Sequence, residues 1–235
     1  GQIRKILPGC AAVTAGNAYL AEFARTLNPN VHVIPSTIDP AFHFPLPRPE
    51  RPVTIGWSGS LTTLPHFEQV IPVLRKLHDK WEDQIRFLTV GAKTSAAPDL
   101  PISYIPWSID TENQSLNEID IGLMPLPDDP WTRGKCGMKA LLYMSVGKPA
   151  VASPVGVNSE IIRHEVNGML ASTDEEWFSC LDLLIEDGGR REQMGQHALS
   201  FVREHYGKEA WADRLIDVYK QSMQIKTNPL KAVSL

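Results

Sequence analysis

From Val53 onward, short runs of β-branched and apolar residues alternate with longer stretches whose apolar positions recur every three or four residues. That is the pattern of βαβ units around a parallel sheet. The short runs are VTIGW, IRFLTVG, ISYIPW, IDIGLMPL and KPAVAS. After the first of them, Phe67, Val70, Ile71, Leu74, Leu77 and Trp81 fall on one helical stripe. Pro65 suits the first turn of that helix, and Pro72 is expected to kink it. Thr173, followed by Glu176, predicts a capped helix with Trp177, Phe178, Leu181, Leu184 and Ile185 inward, stopped by Gly188 and Gly189. Trp211, Leu215, Val218, Tyr219 and Met223 mark a last helical stripe. The first forty residues read as strand, helix, strand. The PAFHFPLPRPERP that follows holds five prolines in thirteen residues, which is linker chemistry, because proline stiffens the chain and withholds a ladder donor.

Composition narrows the class. A chain of 235 residues with 21% charged residues and a net charge of -4 is an ordinary globule, and its totals give no reason to expect a nucleic acid partner. No apolar run approaches the roughly 18 residues that cross a bilayer. The first residues lack a secretory leader pattern, so a cytoplasmic location is expected. Cys10, Cys136 and Cys180 are scattered without a CxxC, which argues against a disulfide framework or thiolate site. The seven histidines show no ligand spacing, and no metal or cofactor is expected.

Three small-residue turns carry the candidate chemistry. IGWSGSLTTLPHF leads a buried strand through Gly59 and Ser60 into a helix, where exposed N–H groups and the helix dipole can cradle a phosphate. The same glycines also serve a plain tight turn. The letters come within one residue of the GxSxG of serine hydrolases, but Ser60 stands where the last glycine belongs. In WTRGKCGMKALLYMSVGKPAVASPVGV, Gly134 and Gly137 flank Lys135, and Gly147 and Pro149 close the helix. Lys135 and Lys139 are expected on one helix face near its N-terminus, an arrangement that costs a few tenths of a kcal/mol unless an anion reverses it. The alternative is two lysines extended into water. Arg133 can add a bidentate donor. The third turn runs from Ser153 to Gly156, with Asn158 or Ser159 as cap and Glu160 in the first turn. In a doubly wound sheet these turns converge on one crevice. Trp107 offers either an aromatic face for a base or one more core side chain. Asp128 and Asp129, two acids in one turn, read as solvated by ordinary surface preference.

These residues resemble the C-terminal half of family-four, group-one glycosyltransferases. AAVTAGNAYLAEFA with NVHVIPSTID is similar to that family's interdomain crossing, and VTIGWSGS to the first strand and phosphate loop of its second domain. ALLYMSVGKPAVASPVGVNSEII with VNGMLA resembles its donor-site signature, and YGKEAWADRLIDVYKQSM its terminal helix. The resemblance implies a doubly wound, Rossmann-like parallel sheet, the C-terminal half of a GT-B fold. It implies residues 1–39 as the end of an N-terminal domain, 40–52 as linker, and 53–207 as the nucleotide-sugar-binding domain. Residues 208–225 would form a helix packing toward an N-terminal domain missing from this chain, and 226–235 a flexible tail.

The activity implied is transfer, with retention, from a nucleoside-diphosphate sugar to an unidentified glycan, lipid or small-molecule acceptor, at a site peripheral to the inner membrane face or free in the cytoplasm. A non-catalytic binding module and a GT-B epimerase are the alternatives. Gly59, Ser60, Arg133, Lys135 and Lys139 are the expected diphosphate ligands. Trp107, Asp129, Gly137, Ser153 and Gly156 are expected to line the sugar and nucleotide pocket, and no catalytic residue is assigned. The family's glutamates in its EGFG-like turn and beside the ribose are replaced here by Gly134 and Leu142. Ser60 and His66 stand in place of its phosphate-binding arginine and lysine.

Overall fold

The structure is a computed structural model and describes residues 1–47 and 51–224. The expected tail at 226–235 lies outside the described residues. The chain opens with α1 (Gln2–Ile6), β1 (Val13–Ala15), α2 (Ala18–Arg25) and β2 (Val31–Val33). β1 and β2 pair in parallel as a small separate sheet. The main unit follows as β3 (Val53–Ser58), α3 (Leu64–Glu68), α4 (Ile71–Trp81), β4 (Ile85–Val90), β5 (Ile102–Ile105), α5 (Glu112–Asn117), β6 (Ile121–Met124), α6 (Pro130–Arg133), α7 (Met138–Ser145) and β7 (Ala150–Ala152). It is completed by α8 (Asn158–Ile161), β8 (Gly168–Leu170), α9 (Asp174–Glu186), α10 (Gly188–Tyr206) and α11 (Lys208–Gln224).

β3 to β8 form one parallel sheet in the order β5-β4-β3-β6-β7-β8. The order reverses between β3 and β6, so the sheet is the doubly wound, Rossmann-like one expected. Its central strands are apolar on both faces, and two clusters of buried side chains cover them. Ile55, Trp57, Phe67 and Leu74 belong to one cluster, Leu116, Leu141, Tyr143 and Val202 to the other. A ligand crevice in such a sheet lies at the carboxyl ends of the strands flanking the reversal.

Several expectations change. The stripe from Phe67 to Trp81 is two helices, not one kinked helix. α3 ends at Glu68, and Pro72 occupies the first turn of α4, where its missing N–H costs nothing. Thr173 and Glu176 form the capping box, and α9 ends at Glu186 just before the glycines as expected, but Gly188 opens α10 at once, since Asp187 caps the new helix through the Arg190 N–H. α8 has no side-chain cap. Asn158 lies inside it and donates to the Ser153 carbonyl at 2.9 Å. On α11, Val218 is buried while Tyr219 and Met223 are exposed.

The described part of the proline-rich segment is tied down. Phe44 and Leu46 donate their N–H groups to the side-chain oxygens of Asn113 and Asn117, at 3.0 and 2.7 Å, and Asn117 returns a bond to the Phe44 carbonyl. Just before it, Ile38 is bonded through its N–H and carbonyl to Tyr206 and Lys208.

Candidate anion-binding crevice

The reversal point is shaped by one tyrosine. The β3–β6 ladder is short, pairing Ile55 with Ile121 and Gly56 with Gly122. Beyond it Ser58 donates its N–H to Tyr143 Oη at 2.7 Å, and Oη donates to the Leu123 carbonyl at 3.3 Å. The phenol therefore stands in for the next rung. Burial pushes its pKa upward, which keeps it a donor. Gly122 makes room, because a Cβ there would lie 2.1 Å from the tyrosine ring.

Basic groups gather at the mouth of this opening. Lys139, in the first turn of α7, sets its Nζ 5.6 Å from the centre of the buried Trp57 ring, a cation–π contact. Burial first, and then the charge of Lys135, hold its pKa down to about 8. His66 is depressed below its ordinary value by burial and by both lysines, against a weaker pull from Asp129. Among the described residues neither lysine forms a salt bridge. Lys135 and Lys139 repel each other with no carboxylate in salt-bridge contact among the described residues, an arrangement that favours an anion beside them.

Lys135 reaches this cluster from a turn, not from a helix face as its spacing predicted. α7 begins at Met138, and Gly137 before it holds φ at 70°, a conformation costly for a side-chain-bearing residue. The Lys135 N–H donates to the Thr132 carbonyl, and its ammonium lies 5.7 Å over the Trp131 ring. Asn17 Nδ2 donates to the Lys135 carbonyl at 3.0 Å, while its Oδ1 caps α2 through the Leu20 N–H. The N-terminal unit thus holds the basic turn directly.

The other candidates are placed as follows. Arg133 is chelated by Asp128 at 2.6 and 2.9 Å, and the pair holds the Asp128 carboxyl low. Asp129 caps α6 in a capping box with Thr132, whose backbone N–H is the main cause of its lowered pKa. Gly59 donates its N–H to the Val90 carbonyl, and a Cβ on it would meet the Trp57 ring at 2.4 Å. The exposed Ser60 shares a hydrogen bond with Thr62 Oγ1. Ser153 Oγ accepts the Leu126 N–H at 3.0 Å, tying the ends of β6 and β7 together. Gly156, with φ at 55°, packs on the Arg133 backbone. Ser58, the serine of the near-miss hydrolase motif, is buried with its N–H on Tyr143.

Trp107 is not a core residue. It is 53% exposed, beside the turn at Gly91, which in turn lies against the Gly59 carbonyl. Trp57, Lys139 and the Gly59 turn are thus one contact group, and the Ser153–Gly156 turn buttresses the Arg133–Lys135 segment. Sequence reasoning missed Asn17, Trp57 and Tyr143. Nothing but their types marked them, since each acts through a contact more than eighty residues away or across the sheet. Among the described residues no three His, Cys, Asp or Glu side chains are grouped to hold a metal, and no helix is long and apolar enough to cross a membrane.

A six-stranded parallel sheet whose order reverses between β3 and β6 belongs to the class of doubly wound, Rossmann-like α/β folds. The model of the glycosyl transferases group 1 family matches residues 52–187, more than half of the sequence, and the chain belongs to that family. It is similar to an uncharacterized glycosyltransferase of Methanocaldococcus jannaschii, 31% identical over 118 residues, which are 49% of this chain and 29% of that protein. Among solved structures it is similar to the sucrose-phosphate synthase of Thermosynechococcus elongatus, with TM-score 0.77 and 14% identity over 94% of this chain and 60% of that one. It is also similar to HepE of Anabaena, determined with UDP and glucose, with TM-score 0.73 and 15% identity over 89% of this chain and 63% of that one. At such identities the likeness is one of fold, here GT-B. The chain spans less than two thirds of each of these relatives.

Proposed function

We propose that this chain is the donor-binding half of a glycosyltransferase that moves a sugar, with retention, from a nucleoside-diphosphate sugar to a glycan, lipid or small-molecule acceptor. Residues 53–207 form the donor domain, and an N-terminal domain outside this chain supplies the acceptor side. The observation that carries the reading is the Lys135 and Lys139 pair beside His66 at the sheet reversal, neither lysine being in a salt bridge among the described residues. A diphosphate brings two or three negative charges to that spot, relieving the repulsion among the basic groups and stabilising the charge that develops on the departing nucleotide. Lys135 and Lys139 take the phosphates, Ser60 adds a hydroxyl, and Gly59 shapes the turn that Trp57 and Lys139 share. Arg133 joins only by leaving Asp128. Trp107 presents an aromatic face to the base, and Gly137, Ser153 and Gly156 set the loops of the sugar pocket, with Asp129 at its edge. The fold shared with HepE, a protein determined with UDP and glucose, supports a sugar nucleotide as the ligand class.

The test is isothermal titration of this chain with UDP, GDP and ADP at low salt. Micromolar binding of one of them is expected, and it should be lost in a Lys135→Ala, Lys139→Ala double variant that still melts cooperatively. Unchanged affinity in the double variant would remove the lysines from the site.

A further inference from the structure

One half-buried carboxylate outside the basic cluster connects the proline-rich segment to the crevice. Glu112 opens α5, where a negative charge suits the helix dipole. Its Oε1 accepts the Trp107 indole N–H at 2.6 Å, and its Oε2 meets His43 Nε2 at 2.8 Å. The Glu112 and His43 side chains are only 14% and 11% exposed. Their neighbours are equally fixed, because Asn113 and Asn117 of the same helix hold the backbone at Phe44 and Leu46. Trp107 is different, since half of it is open to solvent beside the Gly91 turn and the Gly59 carbonyl. Its one polar atom is already committed to Glu112, so what it offers a ligand is the ring face.

We propose that Glu112 is a positioning residue that anchors the Trp107 indole as a stacking platform for the nucleotide base and ties that platform to His43 of the interdomain segment. The inference rests on the donor-site reading above and adds to it the residue that sets base binding. An indole free to rotate loses much of its value as a platform, because ordering it then has to be offset by each ligand that binds. A ring already held by a charge-assisted hydrogen bond stacks at no such cost. The linkage to His43 means that the segment leading to the acceptor side and the base platform share one anchor.

The experiment compares nucleoside diphosphate with inorganic pyrophosphate, which has the charge but no base. Base–aromatic stacking implies a loss of about 5- to 100-fold in nucleoside diphosphate affinity for Trp107→Ala, with pyrophosphate affinity unchanged. Glu112→Ala should reproduce at least a fivefold part of that loss, again sparing pyrophosphate. Glu112→Gln, whose amide oxygen still accepts the indole N–H, should stay closer to wild type. In a Trp107→Phe background, which has no N–H to anchor, Glu112→Ala should have little further effect. Without any ligand, the indole N–H resonance that vanishes in Trp107→Phe should lose its exchange protection in Glu112→Ala. The proposal is overturned if Glu112→Ala leaves nucleotide affinity intact. It is equally overturned if nucleotide and pyrophosphate binding weaken together, since that is what mere loosening of the fold would do. A wild-type chain that binds pyrophosphate but no nucleotide removes the platform and leaves the anion site standing, whereas one that binds neither removes the donor site and this inference with it.

Discussion

Lys139→Met should make the protein more stable and less functional at once. The folded pKa of about 8 against an ordinary 10.5 means that folding disfavours the ammonium by roughly 3–4 kcal/mol at most, at 1.36 kcal/mol per unit. Its remaining contact with solvent and the Trp57 ring face offset part of this, leaving a penalty of about 1–2 kcal/mol. The sign follows from proton counting. Below pH 8 the lysine is protonated in both states and the full penalty applies. Between pH 8 and 10.5 the unfolded chain holds a proton that the folded one has released, so stability rises with pH and the penalty fades. Methionine carries no charge and fills a similar volume against Trp57. The variant should therefore melt about 2–8 °C above wild type at pH 7, with the gain shrinking toward pH 10, while its nucleoside diphosphate binding is lost. Thermal melts followed by circular dichroism at the two pH values, with titrations on the same samples, test both halves. A variant that melts below wild type at pH 7, or whose gain does not shrink at pH 10, would refute the claim that Lys139 is an uncompensated buried charge.

Binding itself should carry the same titration. Between pH 7 and 9 the protonated fraction of a lysine with a pKa near 8 falls about tenfold, whereas a terminal phosphate with a pKa of about 6 stays ionised. Nucleoside diphosphate affinity should drop by up to that factor in wild type and stay flat in Lys139→Arg, whose guanidinium keeps its charge. A limb that persists in the arginine variant would place the titrating group elsewhere. Tyr143→Phe leaves the Ser58 N–H without its acceptor at the end of the β3–β6 ladder, and a buried unsatisfied donor costs about 1–3 kcal/mol. Its urea midpoint should fall with the m-value unchanged, and a midpoint equal to wild type would show that the hydroxyl is no part of the ladder.

The parallel sheet was legible because buried strands write themselves as unbroken apolar runs, and all five such runs in the main unit are strands. β8 escaped, since Gly168–Leu170 is three residues long and owes its strand state to β7 beside it. α10 escaped for the opposite reason. Its mean pattern is polar and its first residues are two glycines, so local propensity argued against a helix that packing on α7 and α9 enforces. The family and its loops were legible in the small-residue signature, and the placement of Trp107 was left open because a tryptophan run into a proline-flanked turn reads the same buried or exposed. The lysine pair was read as a helix face, and spacing cannot reveal that Gly137 turns the chain before α7 starts. Asn17, Trp57 and Tyr143 act only through the tertiary fold, where no periodicity points.

The basic cluster also shows why counting charges along the chain misleads. Asp128 and Asp129 lie in the same loop as Arg133, Lys135 and Lys139, and by sequence alone they would nearly neutralise them. The fold spends both acids before the lysines can use them. Asp128 is taken by Arg133 in a two-pronged pair. Asp129 is turned into the cap of α6, where its carboxylate accepts the Thr132 N–H, while the Thr132 hydroxyl accepts the Asp129 N–H and donates to the Pro127 carbonyl. Pro130 at the start of that helix fixes the turn that makes the cap possible. What remains facing the sheet reversal is the Lys135 and Lys139 pair, in no salt bridge among the described residues, with Asn17 holding the Lys135 backbone from one side and Gly156 packed on the Arg133 backbone. On the proposed donor-site reading this sequestration helps a diphosphate bind, because a carboxylate free to swing onto Lys135 or Lys139 would have to be displaced by every incoming ligand.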